Sequence, residues 1–175
     1  MNIPNFLSTL RILLLVPIIF FFEYDFYLFS LIIFIIAALT DYLDGYFARK
    51  NNQTTDTGAL LDLLSDKIFV CVLLIWMTFH FDSLIILMSS ILIVSREISI
   101  SYLRLFIISK SKQISNVKSD LYGKFKTALQ MIGLGVILIS PLTSVLIFNL
   151  SLSLIFLSAL LSWYSFAKYL NKWIV

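Results

Sequence analysis

The sequence predicts an all-α, polytopic membrane protein with about six transmembrane helices and both termini cytoplasmic. Three observations carry that expectation. The 175 residues are 60% hydrophobic and 13% charged, with a mean hydropathy of +0.98, whereas a soluble domain runs nearer half apolar and a quarter charged. The apolar residues fall in long blocks, such as 12–22, 28–39 and 68–79, each extendable to about 20 residues, the length that crosses a bilayer core. The blocks lack the period-two alternation of barrel strands, and in lipid every backbone amide must be satisfied within its own segment, so helices follow. The third observation is the distribution of basic residues. All Lys and Arg fall near the N-terminus, in the second or fourth loop with its flanking helix ends, or near the C-terminus. The first, third and fifth loops hold Glu23, Asp25, His80 and Asp82 instead. By the positive-inside rule both termini lie in the cytoplasm.

In chain order, residues 1–5 with Pro4 read as an interfacial lead-in, and the spans as 6–22, 28–49, 58–79, 83–108, 124–140 and 144–168. Pro17 and Pro141 are expected to kink or end their helices. The N-terminus has no positive cluster before its apolar run and no small-residue cleavage site, so the first helix is expected to be retained. Cys71, the single cysteine, reads as a small hydrophobe. His80 has no companion metal ligand on its side, and Trp163 and Trp173 suit interfacial belts. With no repeat and no linker, residues 1–175 read as one domain. The net charge of +3 reflects the cytoplasmic face and gives no reason to expect nucleic-acid binding. Lys110, Lys112 and Lys118 read as surface charges facing anionic lipid.

Chemistry is expected where charge enters the apolar helices, since a charged side chain there is costly and marks function or water. Asp41 and Asp44 close the second helix at i,i+3; Asp62 and Asp66 open the third at i,i+4. Each pair shares a helix face, and the short intervening loop brings the two helices back antiparallel, so the pairs can face each other. Converging carboxylates repel unless a cation sits among them, and all-oxygen ligands select a hard divalent ion such as Mg²⁺ or Mn²⁺. Gly45, Ala48 and Gly58 leave room beside the carboxylates for a bulky ligand, and also allow close helix packing. Arg49 ends the stripe as a bidentate phosphate partner would. These are the parts that transfer at a phosphorus centre requires.

The stretch Asp41-Tyr-Leu-Asp44-Gly45-Tyr-Phe-Ala48-Arg49, then eight residues to Gly58, then Asp62 and Asp66, fits D-x2-D-G-x2-A-R-x8-G-x3-D-x3-D at every fixed position. It resembles the signature of the CDP-alcohol phosphatidyltransferases. The resemblance implies a six-helix membrane fold, often homodimeric, acting on CDP-diacylglycerol and an alcohol. Asp41, Asp44, Asp62 and Asp66 would hold two divalent ions, with Asp66 also the general base. Gly45, Ala48 and Gly58 would line the nucleotide cleft and Arg49 contact the diphosphate. The acceptor hydroxyl would attack the β-phosphorus, releasing CMP.

The acceptor must be read elsewhere. Ser95-Arg96-Glu97-Ile-Ser-Ile-Ser101-Tyr-Leu-Arg104 and Gly123-Lys124-Phe-Lys126-Thr127-Ala-Leu-Gln130 resemble the family's phosphatidylglycerophosphate synthase branch, which carries R-E-x3-S/G-x-L-R and G-K-x-K-T-x2-Q. Residues 2–11, Asn-Ile-Pro-Asn-x-x-Ser-x-x-Arg, fit that branch too, with Ser8 where threonine is usual. The acceptor implied is sn-glycerol 3-phosphate, its phosphate met by Arg96, Arg104, Lys124 and Lys126, at a bacterial inner membrane with the active site facing the cytoplasm. Plainer roles stay open. Lys124 and Lys126 could anchor a helix end; Arg96 and Arg104 could simply pair with Glu97; Lys67 could tune the site or snorkel away. Inositol phosphate, serine and phosphatidylglycerol remain alternative acceptors, and a divalent-cation transporter the reading outside the family.

Overall fold

A computed structural model describes the backbone of residues 3–50, 56–111 and 121–174, and within these the side chains of 6–40, 58, 60–103, 106 and 125–171. The described chain is helical: α1 (Ile3–Leu13), α2 (Leu15–Glu23), α3 (Tyr27–Lys50), α4 (Asp56–Phe81), α5 (Leu84–Ser111), α6 (Leu121–Ile139), a 3₁₀ turn (Ser140–Leu142) and α7 (Val145–Ile174). Four segments are long and apolar enough to cross a bilayer: Phe6–Glu23, Leu84–Leu103, Phe125–Leu142 and Val145–Asn171; Tyr27–Thr40 is a shorter apolar helix. Val16, Phe20, Ile75, Phe79 and Leu146 stand exposed on the outside, as a surface solvated by lipid allows. The protein is an integral membrane protein.

The first predicted span is helical already from Ile3, inside the expected lead-in, and is broken at Leu14. Pro17 explains the break: it has no N–H for the carbonyl four residues back, at Leu13, and its ring crowds that carbonyl. Backbone bonds on either side, Leu14 N to Leu10 O at 2.9 Å and Ile18 N to Leu14 O at 3.1 Å, keep the two pieces nearly continuous. Pro141 ends α6 in the 3₁₀ turn, as expected. The α2–α3 turn closes with Phe26 N on Phe21 O at 2.8 Å and Asp25 N on Phe22 O at 3.0 Å. That is the bonding of a Schellman cap, with Asp25 at φ 66° in the left-handed position such a cap needs.

Helix packing runs α1–α3–α6–α7–α5–α4 and back to α1, closing a ring. Ile18, Phe34, Phe69, Leu73, Leu138 and Ile155 fill its centre. Apolar packing between helices gains little over packing against lipid, so close approach and internal hydrogen bonds hold them together. Ser30 Oγ donates to Ile18 O at 2.8 Å, and Thr78 and Ser90 share a bond of 3.0 Å. Trp163, expected in an interfacial belt, donates its Nε1–H to Leu92 O at 2.9 Å, tying α7 to α5. Trp173 lies outside the described side chains.

The ring has two chemically different ends. At one, Glu23 accepts from Trp76 Nε1 at 2.8 Å and lies 3.1 Å from His80 Nδ1. The other gathers Arg11, Asp62, Asp66, Lys67, Arg96, Glu97 and Lys126.

Gly133 marks a close approach of α6 to α7: a Cβ there would lie 2.7 Å from Ile155 Cγ1 and 3.3 Å from the Ile155 amide nitrogen. At Gly135 the nearest atom, a ring carbon of Phe34, would be 3.3 Å away. Gly133→Ala should therefore lower the thermal midpoint in detergent, by the equivalent of about 1–3 kcal/mol of overpacking. Gly135→Ala should be close to neutral, helix propensity offsetting a mild clash. Equal midpoints for the two variants would contradict this packing.

Candidate active site

A charge cluster forms where α4 leaves the ionic end. Asp62 and Asp66, one turn apart, face α1, and Arg11 reaches between them. Its Nη1 donates to Asp66 Oδ1 and to Ser65 Oγ, the latter at 3.2 Å, and lies 3.5 Å from Asp62 Oδ1. Ser65 Oγ donates to Asp62 O at 2.9 Å, fixing that turn. The Arg11 side chain is 2% exposed, whereas those of Asp62 and Asp66 are 43% and 45% exposed. The guanidinium is thus enclosed while the carboxylates look outward toward a space that water or substrate can enter. Asp62 Oδ1 is nevertheless itself buried and accepts no hydrogen bond among the described residues. Gly58 stands one turn before Asp62 at half-buried depth.

The expected partners on α3 are only partly described. Its backbone continues as helix through Asp41, Asp44, Gly45, Ala48 and Arg49, and α3 packs on α1, which packs on α4. The side chains of these five residues lie outside the described ones. Among the described residues no group of three or more His, Cys, Asp or Glu side chains is placed to hold a metal; Asp41 and Asp44 are not among those searched. What is visible fits a hard cation. The donors are carboxylate oxygens, and one of them, Asp62 Oδ1, is buried and accepts no hydrogen bond among the described residues, with the Arg11 charge nearby.

A second cluster of opposite sign lies alongside, centred on Glu97 of α5. Glu97 Oε1 accepts from Arg96 Nη1 at 2.6 Å and from Lys126 Nζ of α6 at 2.9 Å. Glu97 Oε2 lies 3.8 Å from Lys67 Nζ of α4. Lys67 also donates to Ser101 Oγ, and Lys126 reaches Ser162 Oγ of α7 at 3.4 Å. Three cations around one carboxylate leave a net +2, by direct count of these four side chains. Arg96 is 9% exposed at its side chain, and its Nε is buried with no hydrogen-bond partner among the described residues.

Of the residues singled out in the sequence, the structure brings Asp62 with Asp66, and Arg96 with Lys126. The Arg96–Glu97 pair expected as one possibility is present, and Lys126 does more than anchor a helix end. Arg104 and Lys124 lie outside the described side chains. Two residues matter more than the sequence indicated: Arg11, noted only as part of an N-terminal pattern, and Lys67, whose role was left open. The signal for Arg11 was available. A lone cation within an apolar span requires a partner, although the sequence does not say which anion supplies it.

Residues 1–166 match the family described as CDP-alcohol phosphatidyltransferase. The chain belongs to that family. Among similar CDP-alcohol phosphatidyltransferases, one from Salmonella typhimurium (strain LT2) is 36% identical over 177 aligned positions, which cover 97% of this chain and 93% of the relative. One from Wigglesworthia glossinidia brevipalpis is 41% identical with the same coverage. Both are named CDP-diacylglycerol–glycerol-3-phosphate 3-phosphatidyltransferase. The fold is similar to that of Mycobacterium tuberculosis phosphatidylinositol phosphate synthase in its apo form, with TM-score 0.67, 21% identity, 96% of this chain and 87% of that one covered. The same enzyme with CDP-DAG bound matches with TM-score 0.66 and 20% identity over 96% and 84% of the two chains. As a phosphatidyltransferase the chain is an enzyme of phospholipid synthesis, and the ion-transporter reading is set aside.

Arg11→Met leaves two carboxylates facing each other without their enclosed cation. In detergent with chelator present, the thermal midpoint should fall by the equivalent of about 1–3 kcal/mol, below the usual cost of breaking a buried pair because the carboxylates are half exposed. Arg11→Lys should recover part of the loss. An unchanged midpoint for Arg11→Met would mean the pairing does not stabilise this end of the bundle.

Proposed function

We propose that this phosphatidyltransferase moves the phosphatidyl group of CDP-diacylglycerol onto sn-glycerol 3-phosphate, giving phosphatidylglycerophosphate and CMP. The observation that carries the acceptor is the buried Nε of Arg96, unbonded among the described residues, within a side-chain cluster of net positive charge. A phosphomonoester brings close to two negative charges and three strong acceptor oxygens, the complement of that pocket. Relatives 36% and 41% identical over nearly the whole chain, named for this reaction, support the same reading. Inositol phosphate would present the same group. Serine carries no phosphate, and phosphatidylglycerol only a diester, so neither calls for these cations.

The two clusters divide the work. Asp62 and Asp66, with Asp41 and Asp44 on α3, would hold Mg²⁺ or Mn²⁺, two per site. Bound there, the ions would neutralise the diphosphate and the departing CMP. Arg49 and the small residues Gly45, Ala48 and Gly58 would receive the nucleotide diphosphate beside them. Arg96 and Lys126, with Arg104 and Lys124 near the same helix ends, would hold the acceptor phosphate, leaving its far hydroxyl directed toward the β-phosphorus. Asp66 would take the proton from that hydroxyl as its oxygen bonds to phosphorus and the bond to CMP breaks. Lys67, next to Asp66 in the chain and beside Glu97 in space, connects the two halves.

The same proposal places six spans across a bacterial inner membrane, α1 and α2 together forming the first. Both termini and the ionic end face the cytoplasm, where glycerol 3-phosphate and CDP-diacylglycerol headgroups are met. The positive-inside distribution of Lys and Arg supports this orientation. A homodimer is the assembly that the family resemblance implies.

CMP release by the purified protein with CDP-diacylglycerol and Mg²⁺ or Mn²⁺ should occur with glycerol 3-phosphate and not with serine or phosphatidylglycerol. Asp66→Asn, folded by thermal midpoint, should lose turnover by roughly a hundredfold or more, the low end of what a general base contributes. Turnover with serine or phosphatidylglycerol instead would overturn the acceptor assignment while leaving the carboxylate site intact.

A further inference from the structure

Glu97 is an acidic residue at the centre of a pocket read as binding an anion, and that reading gives it no part. Its surroundings suggest one. Lys67, Arg96 and Lys126 come from three different helices, α4, α5 and α6, and each has its cationic group within 4 Å of a Glu97 carboxylate oxygen. Three like charges enclosed among apolar helices repel one another and would turn outward toward water. One carboxylate between them holds all three at the same place.

The Arg96–Glu97 contact has a specific geometry. Neighbours in sequence leave a helix about 100° apart and do not face each other, yet Arg96 Nη1 lies 2.6 Å from Glu97 Oε1. The guanidinium is therefore drawn sideways along the helix surface, with one end engaged and its Nε buried without a partner among the described residues. A buried donor left unbonded is costly unless a ligand supplies the acceptor.

We propose that Glu97 is a positioning residue for the acceptor: by gathering Lys67, Arg96 and Lys126 it orients the donors that take a phosphomonoester and offsets one of their three charges, leaving these four side chains at +2. The proposal rests on the acceptor reading above and adds to it the reason for the pocket's selectivity. With Glu97 present, the four side chains balance a dianion; a neutral or singly charged alcohol leaves them in excess. The competing role is a helix clamp, in which Glu97 merely ties α4, α5 and α6 together.

Initial rates of CMP release, with each substrate varied at saturating levels of the other, separate the two roles. Glu97→Gln should raise the KM for glycerol 3-phosphate by roughly tenfold or more, as expected when one member of a buried charge group is removed. The KM for CDP-diacylglycerol should stay within about twofold, and Glu97→Asp should fall between Gln and wild type. A double-mutant cycle with Lys126→Met keeps the test open if the single Gln variant folds poorly, because the double variant removes charges of both signs. If Glu97 acts through Lys126 as well as Arg96 and Lys67, adding Glu97→Gln to Lys126→Met should raise the glycerol 3-phosphate KM by less than Glu97→Gln does alone. An unchanged or lower glycerol 3-phosphate KM in Glu97→Gln, equal losses for both substrates, or additive effects in the cycle would overturn the positioning role. A Lys126→Met variant with unaltered glycerol 3-phosphate KM would instead remove the acceptor pocket itself, whatever Glu97 does.

Discussion

Arg11 carries a full positive charge on a side chain that is almost wholly enclosed, inside a helix otherwise made for lipid. Such a charge is tolerated only with anions at hand, because hydrocarbon offers no water to solvate it. The anions are Asp62 and Asp66 on α4, so α1 and α4 must pack with the register that brings them together. That pairing fixes which end of the bundle is ionic. It also fixes which face of α4 points inward, and places Lys67, one residue further on, against Glu97 of α5. The same electrostatic requirement then passes to α6 through Lys126 and to α7 through Ser162. Apolar packing fills the ring, but packing against lipid is nearly as good. The charges and the close approach at Gly133 specify one arrangement among many.

Two clusters of opposite sign side by side suit the transfer proposed. A carboxylate group concentrates cations, and a basic group concentrates phosphate. Set against each other, they arrange an electrophilic diphosphate and a nucleophile that carries its own anionic handle. Lys67 and Glu97 at the seam place opposite signs next to each other. The serines at this end act on a smaller scale. Ser65, Ser101 and Ser162 each engage a buried or half-buried cation without adding charge, which holds the charged groups in place without altering the net field.

Much of this could be read from the chain. The helices were legible because lipid imposes long apolar blocks. The aspartates on α4 were legible by spacing, since i,i+4 places both on one side whatever the neighbours are. The Arg96–Glu97 pair was also visible as a possibility. What the sequence could not give was partnership across helices. That Arg11 meets Asp66, across 55 positions, depends on how α1 and α4 rotate against each other. The convergence of Lys67 and Lys126 on one carboxylate depends on three helices at once. The break at Leu14 was expected of Pro17 in kind but not in position, because the strain is relieved at the carbonyl the proline cannot serve.

The central claim is that a divalent-ion site on the aspartates and an acceptor-phosphate site around Arg96 are neighbours in one cavity. Phosphorus relaxation of glycerol 3-phosphate, measured with the purified protein and Mn²⁺, addresses that adjacency without relying on turnover. The account predicts strong paramagnetic relaxation of the phosphate signal that is lost in Asp62→Asn, which no longer holds the ion. It predicts the same loss in Arg96→Gln, which no longer holds the phosphate while its bound Mn²⁺ persists by electron paramagnetic resonance. Bound Mn²⁺ that leaves the phosphorus relaxation of bound glycerol 3-phosphate unchanged in the wild-type protein would contradict it.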